Sequence, residues 1–144
     1  MAAQFKIHFA TDINCLFIRF YGEVTKAALL DMMDQSVNHK SYSPTINRIT
    51  DYRGITLGVS NSEISTLRAE MPIRFGDAIG AHKEAVIVDS LLIHGVFRRF
   101  LSVSDWPITY RIFNQKKNVI APTIRAFLSL PSNYVFPKII QPLD

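Results

Sequence analysis

The chain has 144 residues, 48% apolar and 19% charged, which is enough for one hydrophobic core and too apolar for a disordered segment. Its net charge of +4 comes from scattered basic residues, with Arg98-Arg99 and Lys116-Lys117 the only adjacent pairs, so no nucleic-acid partner is expected. A single cysteine, Cys15, excludes an intrachain disulfide and a cysteine-built metal site, and no apolar run approaches the roughly 20 residues of a membrane span.

Phe5–Phe9 alternates apolar and polar residues, the period of a half-buried strand, and Cys15–Tyr21 forms a second. The short turn Thr11–Asn14 between them predicts an antiparallel hairpin. Thr25 is a good N-cap for a helix carrying Ala28, Leu29, Met32, Met33 and Val37 on one face, and Pro44 bars its continuation. Ile46–Tyr52 reads as the third strand. Ser60 and Glu63 have capping-box spacing at the start of a helix from Ser60 to Met71, which Pro72 should stop.

Glu84–Asp89 is a short β-branched run typical of a central strand buried on both faces. Ser90 caps a third helix, Leu91–Val103, ended by Asp105-Trp-Pro107. Ile108–Phe113 is the fifth strand, and a fourth helix runs from near Pro122 to about Leu130. The order is β-β-α-β-α-β-α-β-α, an α/β domain with a mixed sheet of about five strands whose antiparallel member is Phe5–Phe9. Residues 1–130 form this domain. Residues 131–144 make an apolar, proline-containing tail expected to pack on the body or on a partner.

Tyr21-Gly-Glu-Val-Thr25, Thr50-Asp-Tyr-Arg-Gly54, Val86-Ile-Val-Asp89, Leu92-Ile-His-Gly-Val-Phe-Arg98, Tyr110-Arg-Ile-Phe113 and Ala126-Phe-Leu128 follow one another in a familiar order. Over about Phe5 to Leu130 the chain resembles the SpoIIAA-like proteins, which have the STAS-type fold of anti-sigma-factor antagonists. That resemblance implies a non-enzymatic regulatory module. It also implies that Ser60 or Ser62, within Gly58-Val-Ser-Asn-Ser62, stands where the phosphorylated antagonists carry their modified serine. The Asp-Ser-Ser-Gly pattern of those antagonists is absent, and members discussed as binders of lipids or small apolar molecules are similar.

Several residues stand out for their chemistry. A phosphate on Ser60 or Ser62 would meet the positive end of a helix, although a serine there more often serves only as the cap. Asp51 and Arg53 share a strand face and can pair, either as a local ion pair or with Arg53 as the donor fork for an anion. His94 and Arg98 share a helix face and could rim a pocket near Asp89, although a solvated face is the commoner role. Gly95 costs about 1 kcal/mol inside a helix, which suggests close approach of another backbone or a ligand.

Four histidines on separate elements and no phosphate loop or nucleophile elbow give no catalytic set, no cofactor and no metal site. The expectation is therefore a cytoplasmic protein-interaction module acting through Asp51–Ser62 and the third helix. The alternative is a carrier of a small apolar ligand, needing a pocket of about 300 Å³ by Leu91, Ile93 and Phe97. A hydrolase of unknown type comes third. Two apolar faces on Cys15–Tyr21 also suggest a homodimer.

Overall fold

The computed structural model describes residues 4–102, 106–115 and 119–143. Seven strands and four helices lie among them. They are β1 (Phe5–Ala10), β2 (Cys15–Phe20), β3 (Glu23–Thr25), α1 (Lys26–Val37), β4 (Asn47–Asp51), β5 (Thr56–Gly58), α2 (Asn61–Phe75), β6 (His82–Val88), α3 (Leu91–Leu101), β7 (Ile108–Asn114) and α4 (Ala121–Phe127). The main sheet has the order β1-β2-β4-β6-β7, with β1 antiparallel to β2 and every other pair parallel. The chain is thus α/β with a mixed five-stranded sheet.

Strand order follows chain order, and this decides what covers each face. Successive crossovers of one hand along such a sheet place their helices on the same side. Ala28, Leu29, Met32 and Met33 of α1, Leu67 of α2 and Phe97 of α3 accordingly join Leu16, Ile18, Phe20, Val86 and Val88 in one core. Alternation sends Cys15, Phe17, Ile49, Ala85, Ile87 and Phe113 to the opposite face. There α4 supplies Ala121 and Ile124, and the segment beyond it supplies Phe136, Ile140 and Leu143. The two-faced strand β2 therefore finds its second cover within the chain, and that face gives no reason to expect a second subunit. Burial on this side pushes the Cys15 thiol up to about 12, so it acts as a small apolar group.

The expected caps form. Thr25 Oγ1 accepts from Ala28 N–H at 3.1 Å, Ser90 Oγ accepts from Ile93 N–H at 3.1 Å, and Ser60 with Glu63 makes a reciprocal capping box. The main departures have identifiable causes. α2 continues through Pro72 to Phe75, because Met71 and Phe75 are both buried one turn apart and their packing outweighs the lost backbone bond. α4 ends at Phe127, short of Leu130. α3 is helical to Leu101; Val103, Asp105, Lys116 and Lys117 lie outside the described residues.

A second, two-stranded sheet was not expected from the sequence. β3 and β5 pair in parallel over three residues, Glu23 with Thr56 through Thr25 with Gly58. Gly58 is required there, since a Cβ would lie 2.7 Å from Glu23 Cγ. Strands this short carry too little alternation to be read from sequence.

Candidate functional site

β4 ends in Asp51, whose side chain is wholly buried and so must be paired. Arg53 Nε lies 2.9 Å from Oδ1 and Nη2 lies 2.6 Å from Oδ2, while Arg53 N–H donates to Oδ1 at 3.0 Å. Arg19 stands beside Asp51 in the β2–β4 register and donates to Oδ2 through Nη1. Two guanidinium groups on one carboxylate leave an excess positive charge. Arg53 spreads its share onto neutral acceptors: Nη2 donates to the Ile140 carbonyl at 2.8 Å, and Nη1 donates to the Pro142 carbonyl and to Gln115 Oε1.

The consequence is chemical. Every guanidinium nitrogen of Arg53 is engaged, so the fork that could hold an anion instead ties the C-terminal segment to the end of β4. Asp51 has no solvent-facing oxygen to offer. Its pair with Arg53 is the local ion pair that alternation allows.

Asp89, at the end of β6, accepts Gly54 N–H through Oδ2 at 3.0 Å. Gly54 has φ +76°, a conformation that side-chain-bearing residues adopt only with strain, so the turn after β4 is fixed from both ends. Arg19, Arg53, Gly54, Asp89, Gln115 and Gln141 surround an open recess of about 330 Å³. It stays open for a topological reason. In open α/β sheets the deep crevice forms where strand order reverses, and this sheet has no reversal.

Tyr52, next along, leaves the sheet and carries its ring between Phe20 and Phe97, with centroids 5.0 and 4.1 Å away. This stack anchors α3 to the end of β4. Ile93, Val96, Phe97, Phe100 and Leu101 face inward. The outer stripe of α3 is Leu91, Leu92, Gly95, Arg98 and Arg99, all exposed. Leu91 is 67% and Leu92 75% accessible, and nothing lies within 4 Å of where a Cβ on Gly95 would be. The expected close neighbour of Gly95 is therefore not part of this chain. Compared with protein-family models, with curated proteins and with solved structures, the chain matches none.

The sequence-derived residues fall into two groups. Asp51, Arg53 and Asp89 meet around the turn after β4. His94 and Arg98 do not line that recess; His94 is half-buried, with Nδ1 lacking a partner among the described residues, and Arg98 is exposed.

Ser60 and Ser62 begin α2, which lies against the later part of α3 rather than beside Asp89. Arg99 Nη2 donates to Asn61 Oδ1 at 3.1 Å, and Arg99 is eight residues, about 12 Å of helix, beyond Leu91. Ser60 Oγ accepts from Glu63 N–H at 3.1 Å, while Ser62 is exposed.

Arg19, Gln115 and the carbonyls of Ile140 and Pro142 were not singled out from the sequence. Arg19 could have been found from its place in a strand parallel to β4; the carbonyls carry no side-chain signal. Also unanticipated are three buried charged or titratable residues on the core face of the sheet, Arg48, His82 and Glu84. No group of three or more His, Cys, Asp or Glu side chains converges as a metal site among the described residues. No helix there is long and apolar enough to cross a membrane.

Proposed function

We propose that the protein is a non-enzymatic, STAS-like regulatory module that binds a protein partner through the outer stripe of α3. The observation that carries this reading is Gly95. A glycine inside a helix costs about 1 kcal/mol relative to alanine, and no contact within the chain needs its missing side chain. It sits between two exposed leucines and Arg98, where it lets a second backbone come close. The chemistry of the stripe describes the partner: an amphipathic segment with an apolar anchor for Leu91 and Leu92 and carboxylates facing Arg98 and Arg99.

The interior supports this over carriage of a lipid-sized molecule. The cavity behind α3 has only about 20 Å³ wide enough for a water molecule, well below the 300 Å³ scale of a ligand pocket, and Leu91 and Ile93 do not line it. Regulation is consistent with the neighbouring helix start. A phosphate on Ser62 would add about two negative charges beside Arg99 and the free amides of α2, competing with an acidic partner for the same arginine.

The test is a photo-crosslinking residue placed at Leu92 in the native host, with Val135 as an exposed control position. The reading expects a discrete protein adduct from position 92, absent from position 135 and lost when Arg98→Glu is added. Adducts shared by both positions, or indifferent to the charge reversal, would sink it.

A further inference from the structure

The core beneath α1, α2 and α3 contains a polar island. β4 and β6 are parallel with Arg48 in register with Glu84, and both line the same cavity on the helix-covered side, together with His82. Arg48 is 4%, Glu84 7% and His82 8% accessible. Opposite charges on adjacent strands, about 4.8 Å apart, ordinarily close on one another. These do not. Arg48 Nη1 is aimed at Met33 Sδ, 3.0 Å away, which is a weak acceptor. The ion-pair partner of Glu84 is His82, with Nε2 3.6 Å from Oε2, long for a hydrogen bond.

His82 sharpens the problem. Its Nδ1 lies 2.9 Å from the Gly80 carbonyl, which can only accept, so Nδ1 carries a proton. In the neutral ring Nε2 then presents a lone pair towards a carboxylate, an arrangement that calls for a donor between them. Arg48 Nε, His82 Nε2 and Trp106 Nε1 are all buried without a hydrogen-bond partner among the described residues, and all three residues line the cavity. Buried polar atoms left in that state destabilise a fold unless a guest completes them.

We propose that this cavity binds a small uncharged molecule with an apolar body and an amide-like edge, its carbonyl accepting from Arg48 and its N–H donating to Glu84. Charge balance selects a neutral guest: Arg48 and Glu84 already cancel, and a charged one would leave an uncompensated buried ion. Apolar walls select the body, for Met32, Met33, Met71, Phe97 and Phe100 complete the lining. Size follows from the space. The gaps among these side chains, with their opening to solvent, total about 460 Å³, of which about 20 Å³ admits water. Three flexible methionines can merge such gaps by changing rotamer. A single water is the competing occupant, since about 10–15 Å³ suffices for one. The cavity lies behind α3, so its guest and the partner on the outer stripe are independent of one another.

The test uses the methionines. Of four in the chain, Met32, Met33 and Met71 line the cavity and Met1 serves as reference. Protein carrying ¹³C in its methionine methyl groups is titrated with benzamide, benzoate and toluene. Benzamide should move the Met32, Met33 and Met71 resonances saturably and leave Met1 in place. Benzoate, which is charged, and toluene, which has no polar edge, should bind at least about tenfold more weakly. Glu84→Gln should weaken benzamide by about tenfold, and Leu92→Ser should leave it unchanged. No saturable movement of the three resonances, or benzoate or toluene binding as tightly as benzamide, overturns the proposal. The comparison of probes is made on the wild-type chain, so it does not depend on any variant folding.

Discussion

Arg53 grips Asp51, two residues before it, with Nε 2.9 Å from Oδ1 and Nη2 2.6 Å from Oδ2, and with its remaining donors holds the carbonyls of Ile140 and Pro142. One side chain thus joins the end of a central strand to a segment nearly ninety residues later. The segment it holds buries Phe136, Ile140 and Leu143 against the second face of the sheet. Burial of three such side chains is worth about 1.5–3 kcal/mol each, so the staple guards a substantial part of the core.

Arg53→Ala should therefore act on stability and on the tail together. Breaking a buried pair by removing one partner costs about 3 kcal/mol or more, and here Arg19 alone would remain on Asp51. Urea denaturation should show that loss, and carboxypeptidase should trim the variant's C-terminus faster than the wild type's. Wild-type stability with an equally resistant C-terminus would show that the tail is held by its apolar contacts alone.

Gly95→Ala separates stability from binding. With open space at the Cβ position and a helical backbone, alanine should raise stability by about 0.5–1 kcal/mol. Thermal unfolding of the two proteins measures this. A lower Tm would mean that the stripe is already covered within the folded protein, leaving no surface there for a partner.

Glu84 provides a pH dependence of definite sign. Burial works to raise its pKa, but the Arg48 charge and His82 outweigh burial and hold it below the ordinary carboxylate value. A group that ionises more readily folded than unfolded contributes stability that is fully present above its unfolded pKa. That contribution fades as pH falls through the folded value. The stability of wild type relative to Glu84→Gln should therefore decline from about pH 6 to about pH 3, as read from urea midpoints. A constant or growing difference would mean that Glu84 gains nothing from Arg48.

What could be read from the sequence was what local chemistry encodes. Thr25, Ser60 with Glu63, and Ser90 announced three helix starts, because a cap is decided within four residues. Alternation placed Phe17 and Ile18 on opposite faces and allowed Asp51 to meet Arg53. The parallel order followed from connection lengths.

The rest depends on partners far apart in the chain. Arg48 and Glu84 each look like an ordinary strand residue until the β4–β6 register sets them side by side. Pro72 reads as a stop because the local cost of a helical proline is visible in sequence, whereas the burial of Phe75 that offsets it is not. The acceptors of Arg53 in the tail are backbone atoms, which every residue carries.

The measurement that bears most directly on function is the affinity of the protein crosslinked through position 92, purified, for wild type and for Leu91→Ser with Leu92→Ser. Both leucines are exposed, so the double variant should unfold within about 0.5 kcal/mol of wild type per substitution. If they anchor the partner, its Kd should rise at least about tenfold, the loss expected from central apolar contacts. A double variant that keeps both its fold and its full affinity would contradict the assignment of α3 as the partner surface.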